Sequence, residues 1–426
     1  MSTKLRFVLP FLAAVTSPLL AGMPNVILIN CDDLGFGDIG CNGARDILTP
    51  NLDRMAAQGT RFTDFSVTSA LCTPSRASLM TGKYPGRVGL STGVLRPDAL
   101  NGLASSEITL AEVMKSAGYA TGCIGKWHLG FVKGMLPMDQ GFDSYYGVLH
   151  NLDHWETEYF VKEGGMPILR GDGVDKRPAI PAEMTGLYTA EALKFIETNR
   201  EHPFFLYLAH AMPHIPFDAS PRFKGKSKRG LYGDAVEELD DSTGQILDKL
   251  RALGLAERTL VIFTSDNGPE RGAPGTAAPF RGTKHTVLEG GLRVPCIAWW
   301  PGNVPAGRVC SEFVSTLDIL PTLARLADAK LPDTGKLDGY DMSPVLLGHK
   351  DAHSPLSTLY SFYGIKNRTL ESFRETHWKL HLTTPPELYD LTSNVAESPN
   401  IAPEHREVVD RLSESARQVR EETLSR

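Results

Sequence analysis

Asn25-Val26-Ile27-Leu28-Ile29-Asn30-Cys31-Asp32-Asp33 begins as an unbroken apolar run without helical spacing and ends in two adjacent carboxylates. A run of this kind reads as a central parallel strand buried on both faces. Its C-terminal end is where open α/β sheets place their ligands, so Asp32 and Asp33 are candidate ligands, although the pair also suits a simple Asp-Asp turn. The design repeats at Thr259-Leu-Val-Ile-Phe-Thr264, which exits into Ser265-Asp266-Asn267-Gly268. Pro203-Phe-Phe-Leu-Tyr-Leu-Ala209 is a third buried strand, opening into His210-Ala-Met-Pro213-His214-Ile-Pro216. Histidines four apart would suit a metal-binding helix face, but the prolines forbid a regular helix there.

Helical patterns lie between the strands. Thr49-Pro50 starts a helix as N-cap and N1, stopped by Gly59. Thr109 with Glu112 forms a capping box for a second helix, closed by Gly118. Residues 231–253 carry a long apolar stripe, and further helices are expected near 190–197 and 317–327. Alternation of this kind predicts an α/β fold.

The length of 426 residues allows one large domain with an appendage, or two domains. Hydrophobic content of 42% and charged content of 22% are those of a soluble globular protein. A net charge of -6 argues against a general nucleic-acid binder, so an anionic substrate must be drawn in by a local cluster of cations. Residues 1–22 have basic residues, a short apolar run and small residues near Ala21, the layout of a signal peptide. No other stretch could span a bilayer, and export to a periplasm or the exterior is expected.

Beyond about residue 350 the texture changes to short antiparallel strands and a terminal amphipathic helix from about Pro403. The expected division is a leader at 1–22, a catalytic domain at 23–350 and an α+β subdomain at 351–426. Residues 140–177 read as an irregular, aromatic-rich loop walling a substrate pocket, with His150, Asn151 and His154 as candidate substrate contacts. Of the six cysteines, Cys123 and Cys296 belong to apolar runs. Cys31 with Cys41, or Cys296 with Cys310, could bridge in an oxidising compartment.

Leu71-Cys72-Thr73-Pro74-Ser75-Arg76-Ala77-Ser78-Leu79-Met80-Thr81-Gly82 puts a thiol at a helix N-terminus, one turn from an arginine. Backbone N–H groups and the dipole favour negative charge there, so an unmodified Cys72 is expected to be a low-pKa thiolate. The run resembles the sulfatase signature C-x-P-S-R-x-x-x-(L/M)-T-G at every defined position. Gly118-Tyr119-Ala-Thr-Gly-Cys-Ile-Gly125-Lys126-Trp127-His128 resembles the second sulfatase signature, G-Y-x-T-x-x-x-G-K-W-H. Lys284, five residues before Glu289-Gly-Gly, the His214 segment and Glu387-Leu-Tyr-Asp-Leu391 also resemble that family, so the likeness runs from about Pro24 to Leu391.

The resemblance implies an alkaline-phosphatase-like fold: a mixed, mainly parallel sheet flanked by helices, with a small C-terminal antiparallel sheet plus helix. It implies that Cys72 is oxidised to formylglycine by a maturation enzyme, and that one hydroxyl of the hydrated aldehyde attacks sulfur with Asp266 as base. His128 then takes the proton of the second hydroxyl as sulfate leaves. Arg76 and Lys126 hold the modified side chain, while Lys284, His214 and Lys126 bind the sulfate, and Lys284 or His214 protonates the leaving oxygen. Asp32, Asp33, Asp266 and Asn267 are oxygen ligands without imidazole or thiolate, a set that prefers calcium, or less readily magnesium, to zinc. Family precedent adds an oxygen on residue 72 to that shell.

The expected activity is hydrolysis of sulfate monoesters, either aryl sulfates or, by preference, sulfated carbohydrates. A phosphate or phosphonate ester hydrolase of the same fold is the alternative, and a non-catalytic, calcium-stabilised carbohydrate-binding protein with unmodified Cys72 is a third. The sequence assigns no oligomeric state.

Overall fold

The computed structural model describes residues 23–331, 336–365 and 368–424, with the side chains at 154–156, 365, 368, 370 and 424 outside that description. The expected leader therefore lies outside the described residues.

In chain order the strands of the large sheet are β1 (Asn25–Cys31), β2 (Thr60–Phe62), β4 (Ala120–Gly125), β5 (Ser144–Gly147), β6 (Ile168–Arg170), β7 (Gly173–Lys176), β8 (Phe204–Ala209), β9 (Thr259–Ser265), β10 (Cys296–Trp299) and β11 (Arg308–Cys310), while β3 (Phe65–Ser66) pairs with β12 (Val314–Ser315) in a two-stranded ribbon. Their order is β11-β2-β10-β9-β1-β8-β4-β5-β6-β7. The five central strands, β9-β1-β8-β4-β5, are parallel throughout. β10 runs antiparallel to both β9 and β2, and the β6–β7 hairpin adds antiparallel strands at the other edge. Every residue of β1, β8 and β9 is buried, as their uninterrupted apolar runs require.

Helices cover both faces. One layer includes Cys72–Thr81, Leu110–Ser116 and Ile319–Leu326; the other holds Pro50–Ala57, Pro181–Thr198 and Gly230–Ala252. A separate four-stranded antiparallel sheet, β13 (Thr358–Ile365), β14 (Arg368–Glu375), β15 (Trp378–His381) and β16 (Glu387–Asp390), packs against the terminal helix Arg406–Leu424.

Three sequence expectations are corrected. The stretch 140–177 is not irregular: it contributes β5, the short helix His154–Tyr159 and the β6–β7 hairpin to the sheet edge. Thr49 does occupy the N-cap position with Pro50 at N1, but its side chain makes no cap hydrogen bond to the first turn; its hydroxyl accepts from the Gly40 N–H at 2.7 Å. The Asp240 carboxylate, from the long helix, accepts from the Asn51 and Leu52 N–H groups instead. Cys296 and Cys310 cannot bridge, because Phe62 on β2 lies between them in register. Two strand spacings separate their backbones by roughly 9–10 Å, beyond disulfide reach. All six cysteines are free thiols, the Cys31 and Cys41 pair included.

Candidate active site

The parallel register brings the strand exits together. Cys31 pairs with Ser265, so Asp32 and Asp266 leave adjacent strands side by side, and the Asp266 N–H donates to the Cys31 carbonyl at 3.0 Å. Ser265 locks this corner: its hydroxyl accepts from the Leu34 N–H at 3.0 Å and lies within hydrogen-bond reach of the Asn267 carbonyl. Asp33 adopts a left-handed backbone, φ 65°, which turns the chain so that its N–H reaches Asp266 Oδ1 at 3.2 Å. At the end of β4, Gly125 has φ 114°, and a Cβ there would fall 1.8 Å from the Ala209 carbonyl oxygen. That close approach sets Lys126, Trp127 and His128 over the exit of β8.

The helix Cys72–Thr81 begins at the thiol and ends at Gly82, whose left-handed backbone closes it onto the Ser78 carbonyl at 2.8 Å. All ten of its residues are buried, so it is a core element rather than a surface helix. Thr73 joins it to the β4 exit by donating to the His128 carbonyl at 3.0 Å. Arg76 donates from Nε to Asp266 Oδ2 at 2.8 Å and from Nη1 to the Lys126 carbonyl at 3.0 Å. One expectation fails here: Cys72 is not a low-pKa thiol. Burial, the largest influence, outweighs Lys126 and Lys284 and pushes it up to about 11.

Charges of both signs meet in this dry space. Lys126 Nζ lies 2.6 Å from Asp32 Oδ2, and Lys284 Nζ lies 2.8 Å from Asp33 Oδ2. Burial favours the neutral form of Asp32, but Lys126, Arg76 and Lys284 hold its carboxyl well below the ordinary range. Asp33 moves the other way, because burial outweighs Lys284. Asp266 is pushed up to about 7 by burial and by the neighbouring Asp32 charge, against Arg76. Lys284 stays charged: burial opposes it, but Asp33, Cys72 and Glu270 outweigh burial.

A divalent ion fits this set. One donor atom each from Asp32, Cys72 and Asp266 lie within 4.8 Å of one another, and the same holds for Asp32, Asp33 and His214. Asp32 Oδ1 and Asn267 Oδ1 are buried without a hydrogen-bond partner among the described residues. Asn267 directs its amide hydrogens to Asp33 Oδ1, at 2.7 Å, and to the Gly268 carbonyl, so its orphaned oxygen is the atom left to ligate. Oxygen donors dominate, as a hard cation prefers.

The two histidines are both held neutral by burial. His128 Nε2 lies 2.9 Å from the Leu95 carbonyl, which only an N–H can satisfy, so Nδ1 carries the lone pair and is buried without a partner. Its pKa is well below the usual value through burial and the Lys126 charge. His214 Nδ1 donates to the Ile215 carbonyl at 2.6 Å, leaving Nε2 3.6 Å from Asp33 Oδ2, and burial with Lys284 lowers it to about 3. His210 faces away, against Tyr188 and 3.4 Å from the Ser242 hydroxyl.

Of the expected substrate contacts, His150 is buried and stacks on Phe131 with centroids 3.7 Å apart, and Asn151 is buried beside it. The His154 side chain lies outside the described residues. Sequence reasoning missed Glu270, which sits 3.1 Å from Lys284 Nζ and 3.3 Å from His285 Nε2, and Tyr207, whose hydroxyl lies 3.4 Å from Arg76. Neither has a local signal: Glu270 follows a proline in a loop, and Tyr207 reads as one more apolar position in β8.

The sequence matches the family model for Sulfatase over residues 24–329 and that for N-sulphoglucosamine sulphohydrolase, C-terminal, over residues 282–422. It is 39% identical to arylsulfatase A of Homo sapiens, across 92% of this chain and 85% of that protein. It is 40% identical to N-acetylgalactosamine-6-sulfatase of Mus musculus, across 85% of this chain and 72% of that protein. Among solved structures, Ps i-CgsB in complex with k-i-k-neocarrahexaose superposes with a TM-score of 0.83 at 31% identity, covering 93% of this chain and 92% of that one. The resemblance carried by two short signatures thus extends over the whole described fold, and the chain belongs to the sulfatase family, the enzymes that hydrolyse sulfuric esters.

Proposed function

We propose that this enzyme removes sulfate from sulfated carbohydrates, using a formylglycine made from Cys72 and a calcium ion held by Asp32, Asp33, Asp266 and Asn267. The observation that carries the reading is the meeting of Cys72 with Asp32 and Asp266 inside 4.8 Å, beside the two orphaned oxygens of Asp32 and Asn267. Calcium there supplies Lewis acidity toward a sulfate oxygen, and the hydrated aldehyde supplies the nucleophilic hydroxyl.

The chain's own residues do the rest. Arg76 fixes Asp266 in place, and Asp266, lifted toward neutrality, is suited to accept the proton of the attacking hydroxyl. His128 Nδ1, the lone-pair nitrogen, would be the group to accept a second proton from the modified side chain at position 72. Lys126 and Lys284 bring two cations to the sulfuryl oxygens. Because the His214 ring is neutral with its N–H committed to Ile215, Lys284 is the group that carries a proton for the leaving oxygen.

The reading includes an exported enzyme whose leader, residues 1–22, is removed, converted by a formylglycine-generating or equivalent maturation enzyme. Among the described residues no helix is long and apolar enough to cross a membrane. It also treats 23–350 as the catalytic domain and 351–426 as the appended subdomain. The test is mass spectrometry of the peptide spanning Cys72, from protein made in a host that converts such cysteines, paired with assays for released sulfate and phosphate. The expected result is the mass loss of thiol-to-aldehyde conversion and release of sulfate ahead of phosphate from matched esters. An intact thiol in active protein overturns the nucleophile, and faster phosphate or phosphonate release overturns the substrate class.

A further inference from the structure

Five rings form a continuous row leading out of the candidate active site. The centroid of His128 is 6.2 Å from that of Phe131, Phe131 is 3.7 Å from His150, His150 is 5.4 Å from Phe160, and Phe160 is 5.0 Å from Tyr159. The inner end belongs to the site, since it is His128 itself, whose carbonyl accepts from the Thr73 hydroxyl on the helix that begins at Cys72. The outer end reaches solvent: Phe131 and Phe160 are half-buried and Tyr159 is 54% exposed. An exposed tyrosine at the end of such a row offers one flat apolar face and a polar tip.

Asn151, the chain neighbour of His150, is buried, and its Oδ1 has no hydrogen-bond partner among the described residues, which leaves an acceptor for an incoming donor. An aryl or steroid group could lie against the rings but brings no row of hydroxyls to that oxygen. A sugar brings both, with a C–H face for the outer rings and hydroxyl donors at its edge.

We propose that Phe160 and Tyr159, the outer end of the row His128–Phe131–His150–Phe160–Tyr159, form a stacking wall for the sugar units beyond the sulfated one, so that the preferred substrate is a sulfated oligosaccharide rather than a sulfated monosaccharide or aryl ester. The wall rests on the sulfate site proposed above and names what lies next to it. Phe160 and Tyr159 grip the units farthest from the ester. They touch none of the reacting groups, so their removal acts through binding alone.

Tyr159→Ala, Phe160→Ala and Phe160→Leu, the last preserving bulk without a flat face, should be compared with the unaltered enzyme on sulfated galactan and glycosaminoglycan tetrasaccharides, on matched monosaccharide sulfates and on nitrophenyl sulfate. Melting midpoints check that each variant is folded, and inhibition by inorganic sulfate reports the sulfate site separately. The expected result is a KM for the best tetrasaccharide raised about tenfold in Tyr159→Ala and Phe160→Leu, with kcat held, and with nitrophenyl sulfate turnover and sulfate inhibition unchanged. An unchanged tetrasaccharide KM in folded variants overturns the wall while leaving the sulfatase chemistry intact. Turnover of aryl esters with every saccharide refused overturns it equally. If no ester is hydrolysed and inorganic sulfate does not bind, the sulfate site itself is misread and the wall falls with it.

Discussion

Arg76 carries a permanent charge at zero exposure, a placement that costs several kcal/mol unless its donors find acceptors. It finds them in Asp266 and the Lys126 carbonyl, and its Nη2 lies 3.8 Å from Asp32. Position 76 therefore neutralises two carboxylates that would otherwise repel an anionic ester, and it ties the exits of β4 and β9 to the helix that presents Cys72. A lysine keeps the charge but loses the planar fork. Arg76→Lys is expected to fold and to lose about 10²–10³-fold in kcat for sulfate release, as removal of one preorganised donor does. Arg76→Ala, which strands Asp266, is expected to cost about 3–5 kcal/mol in urea unfolding as well. Equal kcat in Arg76→Lys and the unaltered enzyme would mean that fork geometry does not matter at this position.

The elements show why some of this was legible in the sequence and some was not. Strands β1, β8 and β9 announce themselves because a strand buried on both faces must be apolar at every position, and their exits carry Asp32, Asp33, His214, Asp266 and Asn267 in plain view. The Thr109 capping box formed as its spacing requires. Thr49 took its N-cap position, but its side-chain bond did not form, because the competing acceptor is Asp240, distant in sequence, and no local pattern reports a partner brought in by packing. The β6–β7 hairpin stayed hidden for a related reason: it is an exposed edge, so burial imposes no apolar alternation on it. Glu270 likewise depends on where Lys284 arrives. The Asp240 cap can be weighed directly. Its carboxylate also accepts from Asn51 Nδ2 at 2.8 Å, and burial pushes its pKa up to about 6. Asp240→Ala is expected to lower unfolding stability by about 1–2 kcal/mol, measured by urea titration, while nitrophenyl sulfate turnover per folded molecule stays the same. A loss of activity at unchanged stability would place Asp240 in the chemistry instead.

At the scale of the whole molecule, the antiparallel C-terminal sheet is joined to the main body by a buried cluster of charges. Glu289, in the E-G-G turn just after Lys284, accepts from Lys379 Nζ on β15 at 2.7 Å and from Arg293 Nε at 2.6 Å. Its backbone N–H donates to Glu397, which in turn meets Lys379 at 3.0 Å and His381 at 2.8 Å. Arg374 on β14 makes a two-pronged contact with Asp64, which follows β2 of the large sheet. Burial opposes ionisation of Glu289, but Arg293, Lys379 and Arg374 outweigh it and hold the carboxyl far below its ordinary 4.5. A carboxyl whose pKa is depressed by folding contributes stability above its unfolded pKa, and that contribution is lost as pH falls toward the folded value. Glu289→Gln keeps the shape, removes the charge and leaves Lys379 and Arg293 less well paired, so the variant is expected to be about 3 kcal/mol less stable at neutral pH. The difference between the two proteins should hold from neutrality down to about pH 4.5 and then narrow, because below that the unfolded chain takes up a proton that the folded enzyme still refuses at Glu289. Thermal unfolding of both proteins across that range measures the gap; one that stays constant down to about pH 3 would mean that Glu289 joins the two sheets by shape rather than by charge.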